Sequence, residues 1–112
     1  MGKFNQITAD ISKQLANMRQ EMPDVMAGFS SLAKAATKPG VLDTKTKELI
    51  AMALAVANHC DGCIGFHAQA LVKHKATREE LMETLSMAIY MGGGPSLMYA
   101  AEALQAWDES LA

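Results

Sequence analysis

The chain has 112 residues, a mass of 12.0 kDa and a formal net charge of −2. That length fits one compact domain, residues 1–112, and a 50 % hydrophobic fraction argues against intrinsic disorder. Ala, Leu and Met carry the apolar content, aromatics are only 5 %, and a mildly acidic balance with scattered lysines leaves no electrostatic footprint for nucleic acid.

Ala, Leu and Met favour helices, and β-branched and aromatic residues are scarce, so the expectation is an all-α domain of about six helices. The first is expected from Phe4 to Glu21, with Phe4, Ile7, Ile11, Leu15 and Met18 forming one apolar stripe. The second opens at Pro23 and stops near Lys38, before Pro39-Gly40. Asp43 or Thr44 caps the third, which carries Glu48 and the apolar run Leu49 to Ala57. That run is apolar on nearly every face, which predicts a central, buried helix.

The polar break Asn58 to Gly62 follows, and a fourth helix is expected from Cys60 or Asp61 to about Lys75. Thr77 and Glu80 form a capping box for the fifth, which reaches Met91. Gly92-Gly93-Gly94 stops that helix, and Pro95 opens a sixth that runs to about Glu109. Met52, Met82, Met87, Met91 and Met98 read as gap-filling core, Trp107 as a packing anchor, and His74 as part of a solvated helix end.

No apolar stretch approaches the roughly 20 residues of a membrane-spanning helix, and no apolar signal core follows Met1. A cytoplasmic location is therefore expected. In that compartment a cysteine pair is more often catalytic, redox-active or metal-binding than a permanent staple.

Cys60-Asp61-Gly62-Cys63-Ile64-Gly65-Phe66-His67 carries the chemistry. On a helix, at about 100° per residue, Cys60, Cys63 and His67 share one face. Cys60 and Cys63 stand at i, i+3, where a disulfide opens and closes without unwinding the helix. Cys63 and His67 stand at i, i+4. The free N–H groups of a first helical turn favour a thiolate, and His67 is placed to accept its proton. Glu48 would hold the imidazole or relay the proton if the third and fourth helices pack antiparallel.

Other readings of the same residues stay open. The cysteines would also suit inert buried thiols, or a zinc site with His67, recruiting His59 or His74. A c-type haem is excluded, because Ile64 rather than a histidine follows Cys63.

The spacing Glu48-x11-Cys60-x-x-Cys63-x3-His67 resembles the signature of the AhpD-like branch of the carboxymuconolactone decarboxylase superfamily, over roughly Leu42 to Trp107. The resemblance implies an all-helical fold and a homo-oligomer, commonly a trimer or hexamer. It also implies a thiol-dependent reduction of hydroperoxides that needs no metal or organic cofactor. By position, Cys63 would attack the peroxide, Cys60 would resolve the intermediate, and His67 with Glu48 would relay protons. An external dithiol or thioredoxin-type protein would then restore the pair.

Some AhpD-like members carry a histidine beside the second cysteine. Here Asp61-Gly62 fill the gap, and His59 precedes the pair. The alternatives are a muconolactone-type decarboxylase, a branch that does not depend on a cysteine pair, and a non-enzymatic redox-sensing or oligomeric module.

Overall fold

A computed structural model describes residues 1–112 as six helices and no strand: α1 (Lys3–Glu21), α2 (Pro23–Thr37), α3 (Thr44–Ala57), α4 (Asp61–Lys73), α5 (Arg78–Gly92) and α6 (Gly94–Leu111). The ends fall within about two residues of those expected from caps and breakers. Asp43 accepts from the Thr46 N–H at the start of α3. Thr77 and Glu80 make the reciprocal capping box of α5. Gly93, at φ 70°, turns the chain from α5 into α6.

Helices α3 and α6 pack on each other and each on both α4 and α5, and α1 lies across α4 and α6. Phe4, Met52, Val56, Ile64, Leu71, Leu81 and Leu85 form the centre of the core, with Trp107 closing it from α6. Gly62 and Gly65, one turn apart on α4, let α1 come close. A β-carbon at Gly65 would lie 2.6 Å from Thr8 Cγ2, and one at Gly62 would lie 2.7 Å from Ile11 Cδ1. The N-terminus of α1 has no side-chain cap of its own. Glu109 of α6 supplies one, its carboxylate accepting from the N–H groups of Phe4 and Asn5 at 2.9 Å each.

Two expectations change at this level. Helix α3 is central but not buried all round: Met52, Ala55 and Val56 face the core, while Ile50 and Leu54 lie exposed on the outer side. Among the five methionines expected in the core, only Met52 is there; Met82, Met87, Met91 and Met98 are exposed. The stripe of α1 is used within the chain at its N-terminal half, where Phe4 is buried and Ile7 packs against the core. Helix α2 is the one left without an apolar partner. It has no buried residue, and Val25, Phe29 and Leu32 are each more than 60 % exposed.

Two changes of glycine to alanine should move stability in opposite directions. Gly28→Ala, on α2 with open space around it, should stabilise by about 0.5–1 kcal/mol through helix propensity. Gly65→Ala should destabilise by about 1–3 kcal/mol, because Thr8 must shift. Denaturant midpoints check both, and stabilisation by Gly65→Ala would show that α1 does not pack as described.

The Asp43 carboxyl is held below its ordinary value near 3.8, first by the Thr46 side chain and then by the Thr46 N–H. A lowered folded value contributes stability above the unfolded value, and that contribution is lost as pH falls through the folded one. Between about pH 5 and pH 2, wild type should therefore lose more stability than Asp43→Asn, which keeps a capping side chain but does not titrate. Parallel pH profiles of the melting midpoint would remove Asp43 from the acid response.

Candidate active site

The turn between α3 and α4 builds the site. Helix α3 closes with the N–H of His59 on the Val56 carbonyl and the N–H of Cys60 on the Ala55 carbonyl. This is the Schellman pattern, with His59 at the left-handed position (φ 54°) where glycine is usual. Cys60 is then extended (φ −107°, ψ 97°) and is the N-cap of α4, its sulfur accepting from the Cys63 N–H at 3.2 Å. Helix α4 begins at Asp61, one of the two starts expected, with Cys60 as its cap. The Cys60 sulfur reaches Cys63 by capping the first turn, and the two cysteines are joined in a disulfide with a Cα–Cα distance of 5.2 Å.

One turn further along α4, His67 Nδ1 lies 2.6 Å from Glu48 Oε2 on α3. The Glu48 side chain is 9 % exposed and that of His67 is 32 % exposed. The buried end is a carboxylate, which demands a partner, and the end that solvent reaches is the imidazole. An ionised Glu48 accepts from Nδ1–H and leaves Nε2 as the ring's basic nitrogen.

Cys60, Cys63 and His67 line one cavity of about 240 Å³, with Ala51, Leu54, Ala55 and Asn58. The structure therefore brings together all four residues singled out by spacing, Glu48 standing behind His67. It does not bring in His59. That ring stacks on Tyr99 with centroids 4.5 Å apart and planes 4° apart, and it lines a different cavity. His74 caps the far end of α4, distant in the helix from the sulfurs. No three His, Cys, Asp or Glu side chains are grouped to hold a metal ion.

Two features had no sequence signal. Asn58, Leu54 and the small residues Ala51 and Ala55 form the rest of the cavity wall, and nothing in their spacing marked them. Asp61, between the cysteines, has one carboxylate oxygen buried without a hydrogen-bond partner. Lys3 feels its charge from across the α1–α4 contact.

In this arrangement a thiol pair can open and close at a helix N-terminus beside a positioned base. No helix is long and apolar enough to cross a membrane.

Known proteins resemble this chain in sequence and fold. The profile of the carboxymuconolactone decarboxylase family matches residues 23–106. An uncharacterized protein of Cupriavidus necator is 46 % identical over 99 residues, which cover 88 % of each chain. Uncharacterized protein 4 of the cox locus of Paracoccus denitrificans is 37 % identical over 81 residues, covering 72 % of this chain and 73 % of that one.

Among solved structures, an apo carboxymuconolactone decarboxylase family protein of Legionella pneumophila superposes with a TM-score of 0.96 at 73 % identity, over 96 % of both chains. A Thermotoga maritima member, for which a part in the antioxidative response has been suggested, superposes with a TM-score of 0.81 at 28 % identity, over 91 % of this chain and 87 % of that one. A matched profile over most of the chain, a relative 46 % identical and a shared fold lead to one conclusion: this chain belongs to the carboxymuconolactone decarboxylase family.

Proposed function

We propose that the protein is a thiol-dependent hydroperoxide reductase cycling the Cys60–Cys63 pair. The observation that carries this reading is the shared cavity: a disulfide at the N-terminus of α4, with a carboxylate-held imidazole on the next turn. The suggested antioxidative part of the Thermotoga maritima relative supports it.

The two sulfurs divide the work. Cys63 stands one turn before His67, whose Nε2 takes the thiol proton. The Cys63 thiolate attacks the terminal oxygen of the hydroperoxide. The O–O bond breaks, the alkoxide leaves with a proton as the alcohol, and Cys63 becomes a sulfenic acid. Cys60 then attacks that sulfur, the S–S bond forms, and water leaves. The position of Cys60 suits this step, because the first-turn N–H groups favour its thiolate.

An external dithiol or thioredoxin-type protein attacks the Cys63 sulfur and releases Cys60 as the same favoured thiolate. A second exchange oxidises the donor and restores both thiols. Glu48 is a positioning residue, which holds the ring so that Nε2 rather than Nδ1 faces the cavity. The cytoplasm, where such donors keep thiols reduced, is the compartment that suits the cycle.

The chain acts as a homo-oligomer, a trimer or hexamer, with the α2 stripe Val25, Phe29 and Leu32 as part of the contact. A run of exposed apolar side chains at i, i+4 and i+7 on a helix with nothing packed outside it is an unfinished interface.

With a small dithiol as donor, wild type should consume an organic hydroperoxide, and Cys63→Ser should not. Cys60→Ser should stop after one equivalent, with a sulfenic acid that dimedone traps. His67→Ala should lower the rate about 100-fold or more and move iodoacetamide alkylation of Cys63 to higher pH. Glu48→Gln should cost about tenfold with a smaller change in the alkylation profile. Fully reduced protein that loses no thiols to mild peroxide overturns the reading, as does turnover that survives replacement of both cysteines.

Sedimentation should give a multiple of 12.0 kDa for wild type and a smaller species for Phe29→Glu. A 12.0 kDa species for both would remove the interface.

A further inference from the structure

A second cavity, of about 430 Å³, lies between α3, α5 and the start of α6. Its walls are apolar: Ala53 and Leu54 from α3, Met87, Ala88 and Met91 from α5. At one end the wall is polar, and three separate features meet there. Ser96 is only 2 % exposed and lines the cavity, yet its hydroxyl makes no hydrogen bond within the chain. The hydroxyls of Thr84 and Ser110, by contrast, bond back to their own helices. A hydroxyl that opens onto a cavity and is not tied to its own helix is free to meet a ligand.

The second feature is the N-terminus of α6, an 18-residue helix whose N-cap is Gly93, with no side chain to accept from the first turn. Pro95 brings no N–H, and the amides of Gly94 and Ser96 are left without a partner in the chain. The third is His59, fixed by its stack on Tyr99 at the edge of the same cavity. No Asp or Glu lines this cavity, and at this end the Ser96 hydroxyl and amide can both donate. Together they fit a single negative charge, while the walls fit an aliphatic or aromatic body.

We propose that this cavity is a binding site for a small monocarboxylate with an apolar body. The Ser96 hydroxyl and the Ser96 amide hold the carboxylate, beside the His59 ring. The tail lies along Leu54, Met87 and Met91, where methionine adapts to tails of different shape. The site shares Leu54 with the disulfide cavity, but its polar end lies apart from the sulfurs and does not depend on their chemistry.

Octanoate is a suitable probe, with octanol as the uncharged control. In an amide NMR titration of the full chain, octanoate should bind saturably and shift the Gly94 and Ser96 amides, leaving those of Cys60 and Cys63 in place. Octanol should bind about tenfold more weakly, and so should octanoate to Ser96→Ala, as expected for loss of one charge-assisted hydrogen bond. Met91→Glu should abolish binding by placing a like charge in the wall. Met91 is 79 % exposed, so the change does not threaten the core.

Peroxide turnover by Ser96→Ala should equal that of wild type, which keeps this result separate from the redox reading. Equal affinity for octanol and octanoate would overturn the proposal, as would unchanged binding by Ser96→Ala. Shifts confined to the disulfide cavity, or no saturable binding at all, would do the same.

Discussion

Cys60 joins two helices with one residue. Its N–H closes α3 on the Ala55 carbonyl, and its sulfur opens α4 on the Cys63 N–H. The backbone between those two bonds has little freedom left, so the direction of α4 relative to α3 is set at this point. A buried carboxylate then fixes the pairing further along. Glu48 is on the inner side of α3, and leaving it unpaired would cost several kcal/mol. Only His67 meets it, and it does so from the face of α4 that carries Cys63. Cap and ion pair act at two levels of the same helix pair, so the sulfurs and the imidazole open into one cavity.

The other face of α4 explains how the pair is held in the domain. Gly62 and Gly65 lie against Ile11 and Thr8 of α1. Cys-x-Gly-Cys-x-Gly therefore interleaves two periodic sets, one reactive and one without side chains. The reactive set needs a neighbour that leaves room, and α3 supplies Ala51 and Ala55 there. The glycine set needs a neighbour that comes close, and α1 does so, its own N-terminus capped by Glu109 of α6. The cysteine pair thus sits on a helix clamped from behind, with its backbone held in place on the side away from the sulfurs.

Much of this was legible in the sequence because helical spacing is a strong code. Residues at i, i+3 and i+4 share a face whatever surrounds them, so the spacing alone places Cys63 and His67 together. Breakers and caps such as Pro23, Asp43, Thr77 and Gly93 act locally, and the element ends followed from them.

The misses share a different cause. Whether Leu54 or Met87 is inside or outside depends on which helix covers it, and apolar character does not say. The position of His59 depended on a left-handed residue at a helix end, a conformation that a sequence marks well with glycine and poorly with histidine. Lys75, at φ 61°, closes α4 in the same way and was equally unmarked.

That left-handed residue also accounts for the separation of the two cavities. His59 and Cys60 are consecutive, yet one side chain stacks on Tyr99 of α6 and the other caps α4. Had position 59 stayed helical, its ring would have followed the face of α3 and the chain would not have turned back. The positive φ reverses the chain within one residue and sends the two side chains to different neighbours. A histidine that a sequence places beside a reactive pair is therefore removed from it by the same bond pattern that puts Cys60 on the helix N-terminus. The imidazole beside the pair is that of His67, which the backbone holds one turn from Cys63 and the Glu48 carboxylate holds at Nδ1.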